Sequence, residues 1–449
     1  MPTYHIITIG CQMNKSDSER VASVLEQNGY KKSDNKNRSD LVVVNTCGVR
    51  QAAEDRIYGL IPEIKRKSAS RRKKVKIILT GCLVERADVR RRLKNYVDFW
   101  LPIYKITNYE FPWSSQDKRI TNEISKKNIN CYNDNYLKIQ PKYESKFSAF
   151  LPIGNGCDNF CSYCVVPYAR GREVYRPLKD ILAEVKTLVK KNYKEIILIA
   201  QNVNSYKSGK TDFADLLKQA DNINGDFWIR FLTSHPKDMS AKLIKVIADS
   251  KKVCRHIHLP VQAGDDKILK AMNRKYSIKH YVNLIKKIRK AISGVSITTD
   301  IIVGFPGQTK KEFNNSVRLI KKIKFDLVYV VRYSPRPGTV AFKLVDDVSK
   351  VEKKRREEKL MQTLKEVVIK NNKKYLGKTL KVLVEGINKK NELFGSTETA
   401  KTVRILAKDL NQRLPRSLAL PRNDKLIGEF VLVKINKLRA LGLDGEIVH

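Results

Sequence analysis

The sequence predicts a three-part α/β protein: an N-terminal α/β domain on a parallel sheet, a central partial (βα)6 barrel, and a small C-terminal β-barrel of oligonucleotide-binding type. Three observations carry this. Near the start, apolar β-branched runs alternate with helix-periodic segments. Strand-and-helix repeats then follow one another through the middle of the chain, and towards the end the pattern changes to consecutive short strands. The divisions fall at 1–104, a connector at 105–148, the barrel at 149–345, a linking helix at 346–371 and the β module at 372–449. With 449 residues, 42% apolar and 30% charged, the chain can bury more than one core.

The first three strands are "TYHIITIGC", "DLVVVNTC" and "KVKIILTGC", which end at Cys11, Cys47 and Cys82. Between the first two, "NKSDSERVASVLEQNGY" presents Val21, Val24 and Leu25 on one helical face, and Gly29 is placed to close the last turn. Val49 to Lys67 also reads as helix. Strands joined by helices pair in parallel, and such sheets bind ligands beyond the carboxyl ends of their strands. All three cysteines occupy that position, each beside a glycine (Gly10, Gly48, Gly81), so they are predicted to meet at one edge of the sheet.

The connector, including "DKRITNEISKKNINCYNDNYL", has little periodicity, and its Cys131 has no companion. The barrel strands are "SAFLPIGNG", "EIILIAQN", "WIRFLTSH", "RHIHLPVQ", "SITTDIIVG" and "LVYVVRYS". Polar residues gather at their carboxyl ends, where barrels place function: Asn155, Gln201, Asn202, Ser234, His235, His258, Gln262 and Asp300. His256 and His258 share a strand face, but no carboxylate partner is evident, so His235, His256 and His258 are expected in the core or at a cofactor and not as a metal triad. The helix "VSKVEKKRREEKLMQTLKEVVIKNN" is expected to lead away from the barrel. In the last module, basic residues interleaved with Phe394 and Phe430 point to nucleic acid.

The formal charge of +43 points the same way, towards a polyanionic partner. The densest run, residues 71–74, reads as a solvated helix end. No apolar run approaches the roughly 18 residues of a membrane span, and the first residues lack a basic stretch before their apolar run. A cytoplasmic, monomeric protein with no membrane partner is expected, and there eight cysteines imply metal or redox chemistry and not disulfides.

The stretch "GCDNFCSYC" places Cys157, Cys161 and Cys164 within eight positions, with no second pair or nearby histidine to complete a four-ligand zinc site. Thiolates suit iron–sulfur clusters, and a [4Fe-4S] cube takes one ligand per iron, so three cysteines would leave one iron open. This spacing, Cys-x3-Cys-x2-Cys on the loop after the first barrel strand with Tyr163 before the last cysteine, resembles the radical S-adenosylmethionine superfamily. That resemblance implies that the open iron chelates S-adenosylmethionine and that an electron from the cluster cleaves it to a 5′-deoxyadenosyl radical. Tyr163 would lie near the adenine, and Gln201, Asn202, Ser234, His258, Gln262 and Asp300 are candidates for its ribose and carboxylate or for the substrate.

With Cys11, Cys47 and Cys82 as a second site of the same kind, the whole chain resembles the methylthiotransferases, whose last module is a TRAM domain. "GCQMN", "NTCGVR", "GCDNFCSYCVVPYARGREVYRP", "TSHP", "HLPVQAGDDKILKAMNR" and "YSPRPGTVA" are similar to the branch that modifies tRNA. This implies two [4Fe-4S] clusters, S-adenosylmethionine as radical source and methyl donor, and an external electron donor such as flavodoxin or ferredoxin. The substrate would be N(6)-dimethylallyladenosine at position 37, in the tRNA anticodon loop, modified at carbon 2. Alternatives within the enzyme class are a ribosomal-protein aspartate or threonylcarbamoyladenosine as substrate. An alternative of another class is a non-catalytic iron–sulfur RNA-binding redox sensor.

Overall fold

The computed structural model describes residues 1–69, 74–109, 135–406 and 423–448. Cys131 and residues 71–73 of the basic run lie outside the described residues.

The N-terminal sheet runs β2-β1-β3-β4-β5, all parallel, from β1 (Thr3–Thr8), β2 (Lys31–Lys32), β3 (Leu41–Thr46), β4 (Lys76–Gly81) and β5 (Phe99–Trp100). The central β3 is buried along its whole length, as a strand covered by helices on both faces must be, which explains its unbroken apolar run. One face packs on α1 (Gln12–Gln27) through Val21, Val24 and Leu25, and the other on α2 (Gln51–Ser68) through Ile57, Ile61 and Ile64. Gly29, at φ +80, turns the chain after α1, and its N–H donates to the Glu26 carbonyl at 3.0 Å. The connector is less independent than its composition suggests. Ile106, Tyr136 and Leu137 are buried in the first domain's core, and the Tyr136 hydroxyl is bonded to Asp17 of α1.

The six predicted barrel strands all form: β6 (Ser148–Pro152), β7 (Glu195–Ile199), β8 (Trp228–Phe231), β9 (His256–His258), β10 (Ser296–Val303) and β11 (Leu327–Arg332). They pair in parallel as β6-β7-β8 and β9-β10-β11, and a parallel bridge between Ile229 and Val253 links the halves. The outward face packs under α3 (Leu178–Lys190), α4 (Phe213–Asp221), α5 (Ala241–Asp249), α6 (Ile278–Ala291) and α7 (Lys310–Ile323) in one continuous core.

Two expectations change here. The helix α8 (Lys350–Asn372) does not lead away from the barrel, because its buried Leu360, Leu364 and Val368 continue the barrel core against α7 and β11. Its many charges conceal a narrow apolar stripe at i, i+4 spacing. The C-terminal module is the predicted small barrel, closed in the order β12-β13-β14-β16-β15, from β12 (Thr379–Ile387), β13 (Leu393–Thr397), β14 (Thr402–Ile405), β15 (Phe430–Arg439) and β16 (Gly442–Ile447). Phe430 is not offered to nucleic acid: it packs on Trp228 of β8 with ring centroids 4.6 Å apart. Phe394 lies against Gly386 within the module. Arg230 completes this junction by donating to the Thr397 carbonyl at 2.7 Å, and Lys401 pairs with Asp326 at 2.9 Å. Among the described residues, no helix is long and apolar enough to cross a membrane.

Because Leu364 is fully buried between α8 and the barrel, Leu364→Ala is expected to cost about 2–5 kcal/mol in denaturant unfolding. A loss near zero would mean that α8 is not part of the barrel core.

Candidate active site between two cysteine trios

The first trio is assembled by tight backbone crossings at the strand ends. Gly81 has φ +86, and a Cβ there would lie 2.3 Å from the Thr46 carbonyl oxygen, so only glycine lets β4 end this close to β3. The next residue, Cys82, donates its N–H to that carbonyl at 2.9 Å. A Cβ on Gly10 would lie 3.0 Å from Cβ of Cys47, and one on Gly48 3.3 Å from Cβ of Cys82, so the three strand ends converge as predicted. Two buried amides hold them. Asn14 Nδ2 donates to Asn45 Oδ1 at 2.9 Å and to the Thr46 carbonyl at 3.1 Å, and Asn45 Nδ2 donates back to the Asn14 carbonyl at 2.8 Å.

The second trio lies on the loop after β6. Gly156, at φ +84, has room for no side chain, since its Cβ would fall 2.0 Å from the Arg172 carbonyl oxygen. This folds the loop back so that Cys157 donates its N–H to the Gly171 carbonyl at 3.1 Å. N–H donors point at sulfur in both sites: Asn159 Nδ2 to Cys157 at 3.4 Å, Arg274 Nη1 to Cys161 at 3.5 Å, and the Val49 amide to Cys47 at 3.4 Å. Such donors favour thiolate over thiol.

The two trios face each other. A Cβ on Gly48 would come within 3.2 Å of the Val165 side chain, the residue after Cys164. Burial pushes the Cys47 thiol up to about 11, and the nearby Cys82 and Cys11 add to it. Burial also raises Cys164, with Cys161 and Cys157 adding and Cys82 contributing from across the domain boundary. Thiols that resist ionising beside one another are a donor set that fits a cationic group bound by several sulfurs. Among the described residues, no group of three or more His, Cys, Asp or Glu side chains is disposed to hold a single metal ion. A four-iron cube, with one thiolate on each iron, does not require that convergence.

Arg170 crosses the boundary from the short helix Val166–Arg170 that follows the second trio. Its Nη2 donates to Asp17 Oδ2 at 2.6 Å and its Nη1 to Asn155 Oδ1 at 3.1 Å, with the Arg170 and Asp17 side chains only 3% and 0% exposed. Burial opposes the Arg170 charge, but Asp17 and the thiols of Cys82 and Cys11 outweigh it and hold its pKa above the ordinary value. A cavity of about 500 Å³ lies over the same boundary, lined by residues that include Cys82, Arg86, Arg91, Val165, Tyr168 and Pro337.

The predicted barrel residues divide into two groups. Gln201, Asn202 and Ser234 follow β7 and β8, and Gln201 Oε1, Asn202 Oδ1 and Ser234 Oγ are buried without a hydrogen-bond partner. Buried polar atoms left unpaired in this way call for a ligand or water. His258, Gln262 and Asp300 lie across the barrel on β9, beyond it and on β10. Gln262 has φ +70, an unusual conformation for a side-chain-bearing residue, and its N–H donates to the Asp300 carbonyl at 2.9 Å. Asp300 sits within β10, not at its end, and is the carboxylate partner that the sequence did not show: its Oδ2 lies 3.4 Å from His258 Nε2. His256 Nε2 and His258 Nδ1 meet Thr298 Oγ1 at 2.9 and 3.0 Å, while His235 Nδ1 accepts from the Lys237 amide at 3.2 Å. Tyr163 packs against the cluster that includes Met272 and Phe305.

Sequence reasoning missed Asp17, Asn14, Asn45, Arg170 and Arg274 as parts of the site. Asn14, Asn45, Arg170 and Arg274 stand inside quoted family motifs, "GCQMN", "NTCGVR", "YARGR" and "KAMNR", but nothing in their spacing marks them as buried.

The class is defined by the barrel and its first loop. The model described as the radical SAM superfamily matches residues 151–320, the one described as uncharacterized protein family UPF0004 matches residues 3–101, and the TRAM domain model matches residues 373–448. Among solved structures, the fold is similar to the radical S-adenosylmethionine methyltransferase TsrM of Kitasatospora setae, at TM-score 0.54 and 13% identity, over 76% of this chain and 74% of that one. It is also similar to the cobalamin-dependent S-adenosylmethionine radical enzyme OxsB, at TM-score 0.51 and 11% identity, over 80% of this chain and 56% of that one. Proteins named tRNA-2-methylthio-N(6)-dimethylallyladenosine synthase are much nearer in sequence. That of Thermoanaerobacter pseudethanolicus is 41% identical over 99% of this chain and 93% of its own length, and that of Dictyoglomus thermophilum is 41% identical over 100% and 99%. The chain belongs to the tRNA-2-methylthio-N(6)-dimethylallyladenosine synthase family of radical S-adenosylmethionine methylthiotransferases.

Asp17→Ala would leave the Arg170 guanidinium buried and unpaired. Denaturant unfolding is expected to show a loss of about 3–5 kcal/mol. An unchanged unfolding curve would mean that the pair does not fasten the two domains.

Proposed function

We propose that the protein inserts a methylthio group at carbon 2 of N(6)-dimethylallyladenosine at position 37 of tRNA, using two [4Fe-4S] clusters and S-adenosylmethionine. The observation that carries this reading is the pair of three-cysteine sites facing each other across one domain boundary, in a chain whose relatives of that name match it from end to end.

Cys157, Cys161 and Cys164 would hold the cluster that binds S-adenosylmethionine, and Cys11, Cys47 and Cys82 the auxiliary cluster that presents sulfur. When bound, the first cluster supplies the electron that cleaves S-adenosylmethionine to a 5′-deoxyadenosyl radical, chemistry that acid–base residues cannot replace because an aromatic C–H is not acidic near neutral pH. The work of the chain is to position the reactants and exclude water. The unpaired Gln201 Oε1, Asn202 Oδ1 and Ser234 Oγ would receive polar groups of S-adenosylmethionine on one side of the barrel, with Gln262, His258 and Asp300 across from them and Tyr163 near the adenine. Met13 of α1 enters the barrel against Ile197, Ile199 and Phe150 and closes that side to solvent. The β module and the basic surface would contact the tRNA backbone, and a base in a loop can be splayed into the cleft without opening a duplex. An external flavodoxin or ferredoxin would deliver the electrons.

Nucleoside mass spectrometry of tRNA from a strain lacking the gene is expected to show the dimethylallyl nucleoside without its 2-methylthio form, restored by the wild-type chain. Cys82→Ala is expected to form 5′-deoxyadenosine from S-adenosylmethionine but to yield no methylthio nucleoside. Full methylthiolation by Cys82→Ala would refute the auxiliary role of the first trio.

A further inference from the structure

The buried Arg170, Arg176, Arg230, Arg336 and Arg356 each meet a carboxylate, at Asp17, Glu184, Glu195, Glu54 and Glu352 respectively. Arg274 does not. It is only 7% exposed, and among the described residues no carboxylate oxygen lies within 4.0 Å of its guanidinium. A buried cation without a counter-charge is strongly destabilising. The charge that answers Arg274 therefore has to be sought among the groups it touches.

Its Nε donates to the Tyr276 hydroxyl at 2.8 Å, its Nη2 to the Pro260 carbonyl at 2.8 Å, and its Nη1 to Cys161 Sγ at 3.5 Å. The Tyr276 hydroxyl donates in turn to the Val261 carbonyl at 3.0 Å. Two oxygens thus fix the fork, and the remaining nitrogen is aimed at sulfur. The backbone is determined as closely. After the short helix Asp266–Ala271, Asn273 turns the chain at φ +56, and the Arg274 N–H donates to the Leu269 carbonyl at 2.8 Å. Asn273 Nδ2 donates to the Phe160 carbonyl at 2.9 Å. Ser162 donates its N–H to the Met272 carbonyl at 3.1 Å and its hydroxyl to the Ala271 carbonyl at 2.8 Å. The residues on both sides of Cys161 are therefore bonded to the segment that carries Arg274, which locks the guanidinium to the cysteine loop.

Resting on the two-cluster function proposed above, we propose that Arg274 is the counter-charge of the cluster held by Cys157, Cys161 and Cys164 and raises its reduction potential. Three thiolates on an iron–sulfur cube make the assembly anionic, and this is the anion that Arg274 lacks among the carboxylates. An added electron increases that negative charge. A fixed cation and an N–H donor to sulfur, in a site shielded from water, therefore favour the reduced form. The step concerned is the uptake of one electron: the external donor is oxidised by one electron and the cluster reduced by one, with no bond broken and no proton moved. Arg274 acts through Cys161 and is a positioning residue. At the first trio the donor to Cys47 is the neutral Val49 amide, so the first cluster serves as an internal reference.

The test is an anaerobic redox titration of the full-length protein, reconstituted with iron and sulfide and followed by electron paramagnetic resonance. In Arg274→Gln, one of the two one-electron transitions is expected to move to lower potential by about 59 mV, a ten-fold loss in the equilibrium for electron uptake. The other stays at its wild-type value. The transition that moves is expected to be the one that disappears when Cys157, Cys161 and Cys164 are all replaced by alanine. Arg274→Lys, which keeps the buried charge, is expected to hold as much iron as the wild type and to shift by less than Arg274→Gln. Loss of the second cluster from Arg274→Gln but not from Arg274→Lys would also support the counter-charge. Wild-type potentials in Arg274→Gln, equal shifts in the two variants, or loss of the second cluster from both would overturn the assignment. A wild-type chain that takes up only one cluster would instead overturn the function on which it rests.

Discussion

The buried pair between Asp17 and Arg170 is the constraint on which the site depends. A guanidinium and a carboxylate removed from water are costly unless their geometry is good and their remaining hydrogen-bonding capacity is used. Here it is used: Asn155 takes a second nitrogen of Arg170, and the Tyr136 hydroxyl meets Asp17. Asp17 lies on α1, whose first turn follows Cys11, and Arg170 follows Cys164 by six residues. With the buried Arg336–Glu54 pair at 3.0 Å, which crosses the same boundary from α2, the Asp17–Arg170 pair holds the first domain against the barrel with the two cysteine loops towards each other. It also brings the end of the connector into the first domain's core, so that the domains are fastened on two sides.

The same docking divides the barrel interior. Helix α1 inserts Met13 against Ile197 and Ile199, so the placement that docks the first domain also covers that side of the barrel. The C-terminal barrel is held with similar firmness, through Arg230, Lys401 and the stacking of Phe430 on Trp228, with Cys254 buried in the same cluster. A module fastened in this way is held at a fixed distance from the cysteines.

Much of this was legible in the sequence, and the limits are instructive. Alternating strands and helices gave the sheet and the six barrel strands because β-branched runs buried on both faces have few other interpretations. The meeting of the strand-end cysteines was legible because a parallel sheet gathers such residues at the carboxyl ends of its strands and their glycine neighbours permit the close approach. The course of α8 was not, because its charged residues hide the stripe of Leu360, Leu364 and Val368. Nor was the fate of Phe430, since an aromatic residue on a small barrel looks the same whether it will meet RNA or Trp228. Asp300 lay hidden as a partner for His258 because it stands two residues beyond Thr298, the register partner of His258, on the same face of the neighbouring strand. Asp17 and Arg170 are 153 residues apart, and only the docked fold shows that they pair.

The central claim is that the two trios face each other across one fixed boundary. A short bifunctional thiol reagent applied anaerobically to the cluster-free full-length protein, followed by peptide mapping, tests it most directly. The structure predicts a cross-link joining the peptide of Cys82 to that of Cys164, lost in Asp17→Ala. Cross-links confined within each trio, with none between them in the wild type, would contradict the account.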